Sequence, residues 1–272
     1  MLRGFYTAAS GMMANQRRQE TLSNNMSNAY TPGYKADQGT MRAFPEMLLK
    51  EIGSKQIPTA NGLNLPINKT VGSLNTGVYM QETVPDFSQG DVRETGIGTD
   101  LALINGPLPD ENGAVFFNVQ NENGELRYTR NGNFTVDGEG FLTTNQGYYV
   151  LDANGNPVQT GGMDFNVAED GTLTVAGRAI PLGLSYTANA NQLIKNGSGL
   201  FEPGEDADAL VNARTTTNVK VQQGALEGSN VDPAKTMTEM MNTYRSFEMN
   251  QRVLKAYDQS LEKAVTEIAR VR

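Results

Sequence analysis

Carboxylates are the chemically active side chains that this sequence offers in number, because it has 30 Asp and Glu residues but neither His nor Cys. Thiolate chemistry, disulfides and every mechanism that needs an imidazole are therefore excluded. Paired carboxylates could hydrolyse a glycosidic bond, a Ser–Lys pair could supply a nucleophile and a base, and clustered carboxylates could bind a cation. Most of the acidic residues accompany Gly or Asn in turn-like segments, and no particular pair stands out.

Three short segments are the candidates for a metal or cofactor site. Residues 152–156 begin like a calcium loop, but Pro157 stands where that loop needs Gly and Met163 stands where it needs Glu. Residues 205–208 could hold a cation weakly, and the Gly-Ile-Gly of residues 96–98 lacks the third glycine of a dinucleotide-binding loop. We therefore predict no catalytic residue, no metal site and no cofactor.

The charge distribution argues against nucleic acid as a partner. Residues 36–229 carry a net charge of −12, whereas residues 1–35 carry +3 and residues 230–272 carry +1. Nucleic-acid binding needs clustered Lys and Arg, so the acidic middle is interpreted as a solvated surface. No run approaches the ~20 apolar residues of a membrane helix. Polar residues and Gly11 interrupt the N-terminal apolar stretch, which argues against a cleaved signal peptide.

The N-terminal segment favours an amphipathic helix. Apolar side chains recur at helical spacing, and the Tyr-Thr-Pro-Gly of residues 30–33 ends the pattern, because Pro disfavours helical geometry before it and Gly permits a reversal. The stripe consists of Leu2, Phe5, Tyr6, Ala9, Met12, Met13, Leu22 and Met26.

The C-terminal segment carries the clearest periodicity in the chain. Asp232-Pro233 is typical of a helix start, and no Gly or Pro follows it. With Met237 at heptad position a, the pattern predicts a coiled-coil-like seam in which polar Gln251 and Asp258 would lower stability but could fix the register. Position d is occupied by Met240, Phe247, Leu254, Leu261 and Ile268, and position a by Met237, Tyr244, Gln251, Asp258 and Val265.

The middle of the chain favours antiparallel β-structure. Asn-Gly and Asp-Gly pairs, which fit hairpin turns, separate short β-prone runs. The predicted fold is α+β: a discontinuous helical domain from residues 1–35 and 230–272, a partly ordered linker over 36–75, and an inserted antiparallel all-β domain over 76–229. Both helical stripes need cover, so we infer that the two ends pair; the alternative is that the pair completes an ordinary monomer. The predicted strands are 101–105, 115–120, 126–130, 134–137, 141–144 and 148–151.

Six segments at the ends and in the middle of the chain form a specific combination: residues 5–13, 22–28, 31–35, 128–138, 224–232 and 244–248. In these segments, which occur in the expected order, the sequence resembles the flagellar basal-body rod and hook protein family, most closely rod proteins of the Bacillus type. The motif positions are Ser23, Asn24, Asn25, Asn28, Thr31, Pro32, Gly33, Tyr34, Ser229, Asn230 and Val231. The family usually has a short Gly turn before two Phe residues, and here residues 107–115 form an insertion at that point.

The resemblance implies a non-enzymatic structural subunit. It implies export through the flagellar type III apparatus without a cleaved signal, location in the basal-body rod outside the cytoplasmic membrane, and transmission of torque from motor to hook. The implied partners are other copies of the chain, neighbouring rod and hook subunits and the export apparatus, with the two helical stripes as the polymerisation interface. The helical stripe implicated at the C-terminal end comprises Met240, Tyr244, Phe247, Leu254, Leu261, Val265 and Ile268.

Other interpretations remain open from the residues alone. The Asn residues of the motif lie near a helix end, where they could cap backbone carbonyls or bridge to a neighbouring subunit. A carboxylate-dependent cell-wall glycan hydrolase and a monomeric extracellular β-domain that binds a ligand are the competing functional classes. The second of these would not need the terminal helices, so deleting both ends would distinguish it from a polymer subunit.

Overall fold

A computed structural model describes residues 2–56, 64–110, 112–204 and 207–269. The helices within those ranges are α1 (Leu2–Ser27), the short α2 (Ala213–Thr216) and α3 (Pro233–Ala269), and Ala190–Gln192 forms a 3-10 turn. The strands are β1 (Asp37–Ala43), β2 (Met47–Gln56), β3 (Asn64–Leu74), β4 (Val78–Pro85), β5 (Val92–Glu94), β6 (Leu101–Ile104), β7 (Ala114–Gln120), β8 (Leu126–Thr129), β9 (Phe134–Val136), β10 (Leu142–Thr144), β11 (Tyr149–Val150), β12 (Asn166–Val167), β13 (Thr172–Val175), β14 (Arg178–Pro181), β15 (Leu184–Thr187), β16 (Leu193–Lys195), β17 (Leu200–Pro203), β18 (Val211–Asn212), β19 (Lys220–Gln223) and β20 (Ala225–Glu227).

The predicted α+β class is present. Among the described residues, α1 and α3 lie near the two ends of the sequence and the strands lie between them. The chain divides into two compact units. One unit takes the first 23 residues, Gly39–Thr83 and the chain from Met237 onward, and the other takes Asn24–Gln38 and Val84–Thr236. The domain boundaries predicted from the sequence stay a prediction; the segment 36–75 contains β1, β2 and β3 in its described part.

The start of α3 follows from its first two residues. The Asp232 carboxylate accepts the backbone N–H groups of Ala234 and Lys235 at 2.9 and 3.1 Å, and Pro233 occupies the first helical position, where its missing N–H is not needed.

No helix in the described part of the chain is long and apolar enough to cross a bilayer.

In the first unit, α1 and α3 pack antiparallel. Gly4 lies against the side chain of Tyr257 and Gly11 against that of Asn250, and a Cβ atom added to Gly11 would lie 2.9 Å from the Asn250 amide nitrogen. Arg18 forms a 3.5 Å ion pair with Glu239 further along. Two glycines seven residues apart on α1 thus make room for two large polar side chains that are seven residues apart on α3.

This packing places the α3 seam differently from the a/d prediction. The d positions from Met240 to Leu261 are half-buried, but the a positions from Met237 to Val265 are exposed. The second inward row is formed instead by position g, which includes Asn250 and Tyr257. The physical reason is that the glycines of α1 accept the g side chains closely, while Gln251 and Asp258 at position a would be costly to bury.

The strands of the first unit form two small sheets. β1 pairs with β4, and β2 pairs with β3 in a long antiparallel hairpin. The start of β4 is bound to α1, because the Thr7 hydroxyl donates to the Thr76 carbonyl at 3.0 Å and the Val78 N–H donates to the Ser10 hydroxyl at 3.3 Å. Phe44 stacks on Tyr79 with ring centroids 5.3 Å apart.

The second unit is built on an antiparallel sheet in the order β16-β17-β8-β7-β11-β10-β9, with β15 pairing with β7 and β18 pairing with β15. Smaller antiparallel sheets are β12-β13-β14, β19-β6 and β20-β5. Successive side chains of β7 point to opposite faces of the sheet and pack in two hydrophobic clusters. Val115 and Phe117 belong to one cluster, and Ala114 and Phe116 belong to the other. The adjacent residues Phe116 and Phe117 therefore stabilise different hydrophobic clusters.

The segment 107–115, which the resemblance predicts to be an insertion, is anchored in its described part and ends in the first residues of β7. The Tyr186 hydroxyl donates to the Asp110 carboxylate at 2.8 Å, and Gly113 packs against the same ring. Burial, followed by the hydrogen bond and the negative charge of Asp110, raises the Tyr186 pKa to about 12. The hydroxyl therefore remains a donor at neutral pH.

Candidate functional site

The two motif regions from opposite ends of the sequence meet within the second unit, around residues 34–37. We call this place the junction: residues 24–37, 86–90 and 227–231 with Arg130 and Lys195. The chain reaches it through a turn after α1 in which Gly33 has a positive φ of 68° and donates its N–H to the Glu227 carbonyl at 2.8 Å. A Cβ atom on Gly33 would lie 2.5 Å from the backbone of Arg130, so this position requires glycine.

Tyr34 is the centre of the first polar network. Its hydroxyl lies 2.8 Å from Asn24 Oδ1 and 3.1 Å from Asn25 Oδ1. The Asn25 amide also pairs with the backbone of Asp37 in both directions, donating at 2.8 Å and accepting at 2.9 Å. The two asparagines thus bind to the residues that follow their own helix, and whether they also bridge to a neighbouring subunit stays a prediction.

The side chain of Lys195, a residue of β16, adds a positive charge to this network. Lys195 Nζ, at the end of β16, lies 3.8 Å from the centroid of the Tyr34 ring and 3.1 Å from an Asp37 carboxylate oxygen. Burial, aided by the negative charge of Asp37, raises the pKa of the Tyr34 hydroxyl well above its usual range. Tyr34 therefore stays neutral and acts as a hydrogen-bond donor.

The second network is a buried ionic triad of Lys35, Arg130 and Glu227. Lys35 Nζ lies 2.8 Å from one Glu227 carboxylate oxygen, and Arg130 Nε lies 2.6 Å from the other. All three side chains are at most 2% exposed. Burial acts to raise the pKa of Glu227, but the charges of Arg130 and Lys35 outweigh it and hold that pKa below its usual value. Burial lowers the pKa of Lys35, and the attraction of Glu227 offsets this only in part.

Backbone groups and the Asn105 side chain form further hydrogen bonds with the triad. Lys35 donates to the Ser88 carbonyl at 2.6 Å, and the Gly90 N–H donates to Glu227 at 3.1 Å. The Arg130 guanidinium donates to the Val115 carbonyl at 2.5 Å and to Asn105 Oδ1 at 2.8 Å. A charged cluster with this many partners tolerates burial, whereas loss of one member would leave an uncompensated charge.

Asn230 joins the segment before α3 to the segment after α1. Its Oδ1 accepts the Ala36 N–H at 2.7 Å, and its Nδ2 donates to the Asp86 carbonyl at 2.8 Å. Beside it Val231 packs with Ala29 and Tyr34 in a small apolar cluster. A groove of about 740 Å³ lies next to this cluster, lined by residues 29, 30, 32, 88–91, 93, 95 and 226–233.

The geometry does not favour acid–base chemistry at the junction. Glu227 is buried and ion-paired with two cations, and Asp232 in the groove caps α3. The calcium-like loop has a local explanation too, because the Asp152 carboxylate accepts the N–H groups of Asn154 and Asn156 at 2.8 Å. In the described residues no group of three or more acidic side chains could hold a metal; residues 205 and 206 of the other cation candidate lie outside that range.

The junction contains most of the predicted motif positions. Thr31 and Asn28 bond to each other at 3.2 Å, Ser229 accepts the Val231 N–H at 3.2 Å, and Pro32 borders the groove. Sequence reasoning did not single out Lys35, Arg130, Glu227, Asp37 or Lys195. The signal available for the first three was their position as charged residues in matching segments that carry at most two charges each.

The residues predicted for the polymerisation interface lie on α1 and α3 with mixed exposure. Leu22 is buried, and the half-buried ones are Phe5, Ala9, Met12, Met26, Met240, Phe247, Leu254 and Leu261. Exposed ones are Tyr6, Met13, Tyr244 and Val265. The side chains of Leu2 and Ile268 lie outside the described part of the structure. Whether these residues form an interface stays a prediction.

Three family models match the chain. Residues 5–35 match a model described as flagella basal body rod protein, residues 112–175 match the flagellar hook protein FlgE/F/G D1 domain, and residues 222–267 match the C-terminal region of flagellar basal body rod FlgEFG proteins. Each matched segment contributes one member of the triad: Lys35, Arg130 and Glu227 respectively.

Curated relatives match along the whole chain. The flagellar hook-basal body complex protein FlhO of Bacillus subtilis is 42% identical, with all of both chains covered. From the same organism, the hook-basal body complex protein FlhP is 30% identical over 96% of this chain and 97% of its own, and the basal-body rod protein FlgG is 30% identical over 97% and 98%.

Proposed function

Because the chain belongs to the flagellar basal-body rod and hook protein family, we propose that it is a rod subunit that polymerises through its two terminal helices and transmits torque from motor to hook. It is a structural component of the flagellar basal body. Its partners would be further copies of itself, the neighbouring rod and hook subunits and the flagellar type III export apparatus, which would deliver it outside the cytoplasmic membrane without a cleaved signal.

The uncovered apolar surface of the terminal helices is the observation that carries this proposal. Tyr6 and Met13 are seven residues apart on α1, and Met237, Met241 and Tyr244 follow a spacing of four and three on α3; all five are exposed. Residues at these spacings lie on one helix face. Exposed apolar residues grouped on one helix face are typical of an interaction site, and burying one such side chain contributes about 1.5–3 kcal/mol.

The junction would have a mechanical role in this proposal. It binds the residues after α1 and the residues before α3 to a folded β-body through buried charge pairs and Asn230. We propose that the ends form a helical polymerisation domain over 1–35 and 230–272, that 76–229 forms an outer β-domain, and that the junction transfers load between segments distant in sequence. The segment 36–75 would connect the two domains.

An enzymatic role is not favoured. The family is one of structural proteins, and the turn carboxylates of Asp137, Asp152 and Asp170 accept N–H groups of their own turns. A monomeric ligand-binding role would not explain why both ends carry long helices with exposed apolar residues. We propose that the chain catalyses no reaction.

The decisive experiment locates the tagged protein in purified hook–basal bodies and compares two Asp substitutions. Tyr244→Asp places a charge on the exposed face of α3, and Ile194→Asp places the same charge at a similarly exposed apolar position on β16. We expect Tyr244→Asp to abolish incorporation and swimming, because a neighbouring subunit would bury an unpaired carboxylate there, which costs several kcal/mol. Ile194→Asp should retain both. Incorporation of both variants at wild-type amounts, or a wild-type protein absent from basal bodies, would contradict the proposal.

A further inference from the structure

All of the sulfur in this chain is in methionine, because there are 12 Met residues and no Cys. Hydrogen peroxide and related two-electron oxidants therefore find only thioethers to oxidise at sulfur. Reactivity follows exposure, and on α3 Met237 is 59% exposed and Met241 is 50% exposed. Met80 of the same unit is only 7% exposed.

Two of the three exposed methionines of α3, Met237 and Met241, lie together near its start, and the third, Met249, lies further along the helix. Met237 and Met241 are one helical turn apart, and Tyr244 is the next exposed residue along the same face. Met240, between them in sequence, is half-buried on the d row. The helix therefore separates neighbouring methionines into an exposed pair and a covered one.

We infer that Met237 and Met241 form an oxidation site that controls whether a free subunit can assemble. This inference rests on the proposed function, in which the exposed face of α3 becomes covered by a neighbouring copy. In the reaction, a sulfur lone pair attacks one peroxide oxygen, a sulfur–oxygen bond forms, the oxygen–oxygen bond breaks, and water leaves after proton transfer. The thioether is oxidised to a sulfoxide while the peroxide is reduced to water.

Oxidation affects the free and the assembled states differently. In the free subunit, water solvates a sulfoxide at either position, so the fold of the chain is unchanged. In a subunit contact, the same oxygen would be buried against apolar groups without a donor, which is unfavourable. Oxidation at this site therefore affects a subunit that has folded but has not yet assembled. Once the subunit has assembled, its neighbour shields the sulfur atoms of Met237 and Met241 from the oxidant.

The test uses glutamine as an uncharged polar mimic of the sulfoxide in the full-length chain. M237Q/M241Q is compared with M237L/M241L, which keeps an apolar side chain that peroxide does not oxidise. The matched control is Met163→Gln, because Met163 is 67% exposed but lies in the other unit, far from α3 in sequence. We expect the amount of tagged protein in hook–basal bodies to fall at least about tenfold for M237Q/M241Q. The other two variants should match the wild type, and all three should keep the wild-type thermal midpoint.

Peroxide mapping supplies a second measurement that does not depend on the mimic. The purified wild-type chain is treated with hydrogen peroxide, and sulfoxide at each Met is quantified by peptide mass spectrometry. Met237 and Met241 should be oxidised faster than Met240 and Met80; equal rates would overturn the inference. Isolated basal bodies should show slower oxidation of Met237 and Met241 but not of Met163.

The outcomes separate the two proposals. If the wild-type chain is absent from basal bodies, the proposed function fails. If the wild type is present and M237Q/M241Q is incorporated equally well, the proposed function stands and the oxidation site is wrong. If M237Q/M241Q lowers the thermal midpoint, assembly of the peroxide-treated wild type is compared with that of peroxide-treated M237L/M241L, which lacks only these two thioethers. Equal losses of assembly in the two would overturn the inference.

Discussion

Around Tyr34 and Glu227 the polar side chains find their partners within the chain, whereas Met13, Tyr244 and Val265 on the terminal helices keep much of their apolar surface exposed. The buried side-chain atoms without a partner in the described residues belong to Asn118, Arg127 and Arg214, none of which is in the junction. The junction is therefore complete in one subunit, and the helices are not. This contrast separates residues that determine folding from residues available for assembly.

Glu227→Gln should have the largest effect on stability, because it leaves Lys35 and Arg130 buried without their anion. Breaking a buried charge pair by removing one partner lowers the free energy of unfolding by about 3–5 kcal/mol. Urea unfolding of the full chain, followed by circular dichroism, measures the change. The control is Glu169→Gln, whose exposed ion pair with Lys220 should be dispensable. Equal midpoints for the two variants would show that the triad does not stabilise the fold.

The same variant should alter the response to acid. The pKa of Glu227 is lowered in the folded protein, so its contribution is fully present above the unfolded-state pKa of about 4.5 and is lost as the pH falls through the lower folded-state value. Wild-type stability should therefore fall more steeply below about pH 4.5 than that of Glu227→Gln. Parallel curves of unfolding free energy against pH would contradict this assignment.

Tyr34→Phe should have an intermediate effect. It removes the hydroxyl that bonds to Asn24 and Asn25. Because Asn24 is exposed and Asn25 Oδ1 keeps the Asp37 N–H, the loss should be that of an ordinary hydrogen bond, about 0.5–1.5 kcal/mol. Hydrogen exchange should increase over residues 24–37 but not in β7. Tyr6→Phe is the matched control, since Tyr6 is exposed on α1. A comparable increase in both variants would mean that the hydroxyl of Tyr34 is not specifically important.

Val265→Asp should change the unfolding free energy by less than about 0.5 kcal/mol, because the side chain is exposed. Its effect should appear in incorporation into hook–basal bodies, which we expect to decrease. This variant examines the helix surface without disturbing the packing of α1 on α3. A large loss of stability would show that the position belongs to the folded subunit after all.

Asp137→Asn should have the smallest effect. The Asp137 carboxylate accepts the N–H groups of Glu139 and Phe141 at 3.0 and 2.7 Å, and an amide oxygen can accept the same bonds. Stability should change by less than about 0.5 kcal/mol and swimming should be normal. Loss of peptidoglycan cleavage in vitro in a folded, assembling variant would instead support the hydrolase alternative.

Local signals in the sequence predicted much of the fold. The Asn-Gly and Asp-Gly pairs separated the runs that became β6 to β11, and Asp232-Pro233 marked the first turn of α3. These features depend on neighbours within a few residues, so a single sequence contains them. The position of the α3 seam depended on a partner helix: the seven-residue spacing of Gly4 and Gly11 admits Asn250 and Tyr257, and heptad analysis of α3 alone missed it.

The junction was predictable only as motifs. Resemblance identified Asn24, Tyr34 and Asn230, but the ion pairs join residues 192 and 97 positions apart along the chain. Hydrophobic periodicity carries no information on which buried cation meets which buried anion. The three charged residues became a single site only when the structure placed them within hydrogen-bonding distance.

The order of the triad along the chain has a consequence for biosynthesis. The ribosome makes Lys35 first, Arg130 next and Glu227 last, so a chain that stops between Arg130 and Glu227 has both cations without their shared anion. Burial of two like charges without a counter-charge is strongly unfavourable. Such a truncated product therefore cannot complete the junction, even though it contains most of the strands of the second unit.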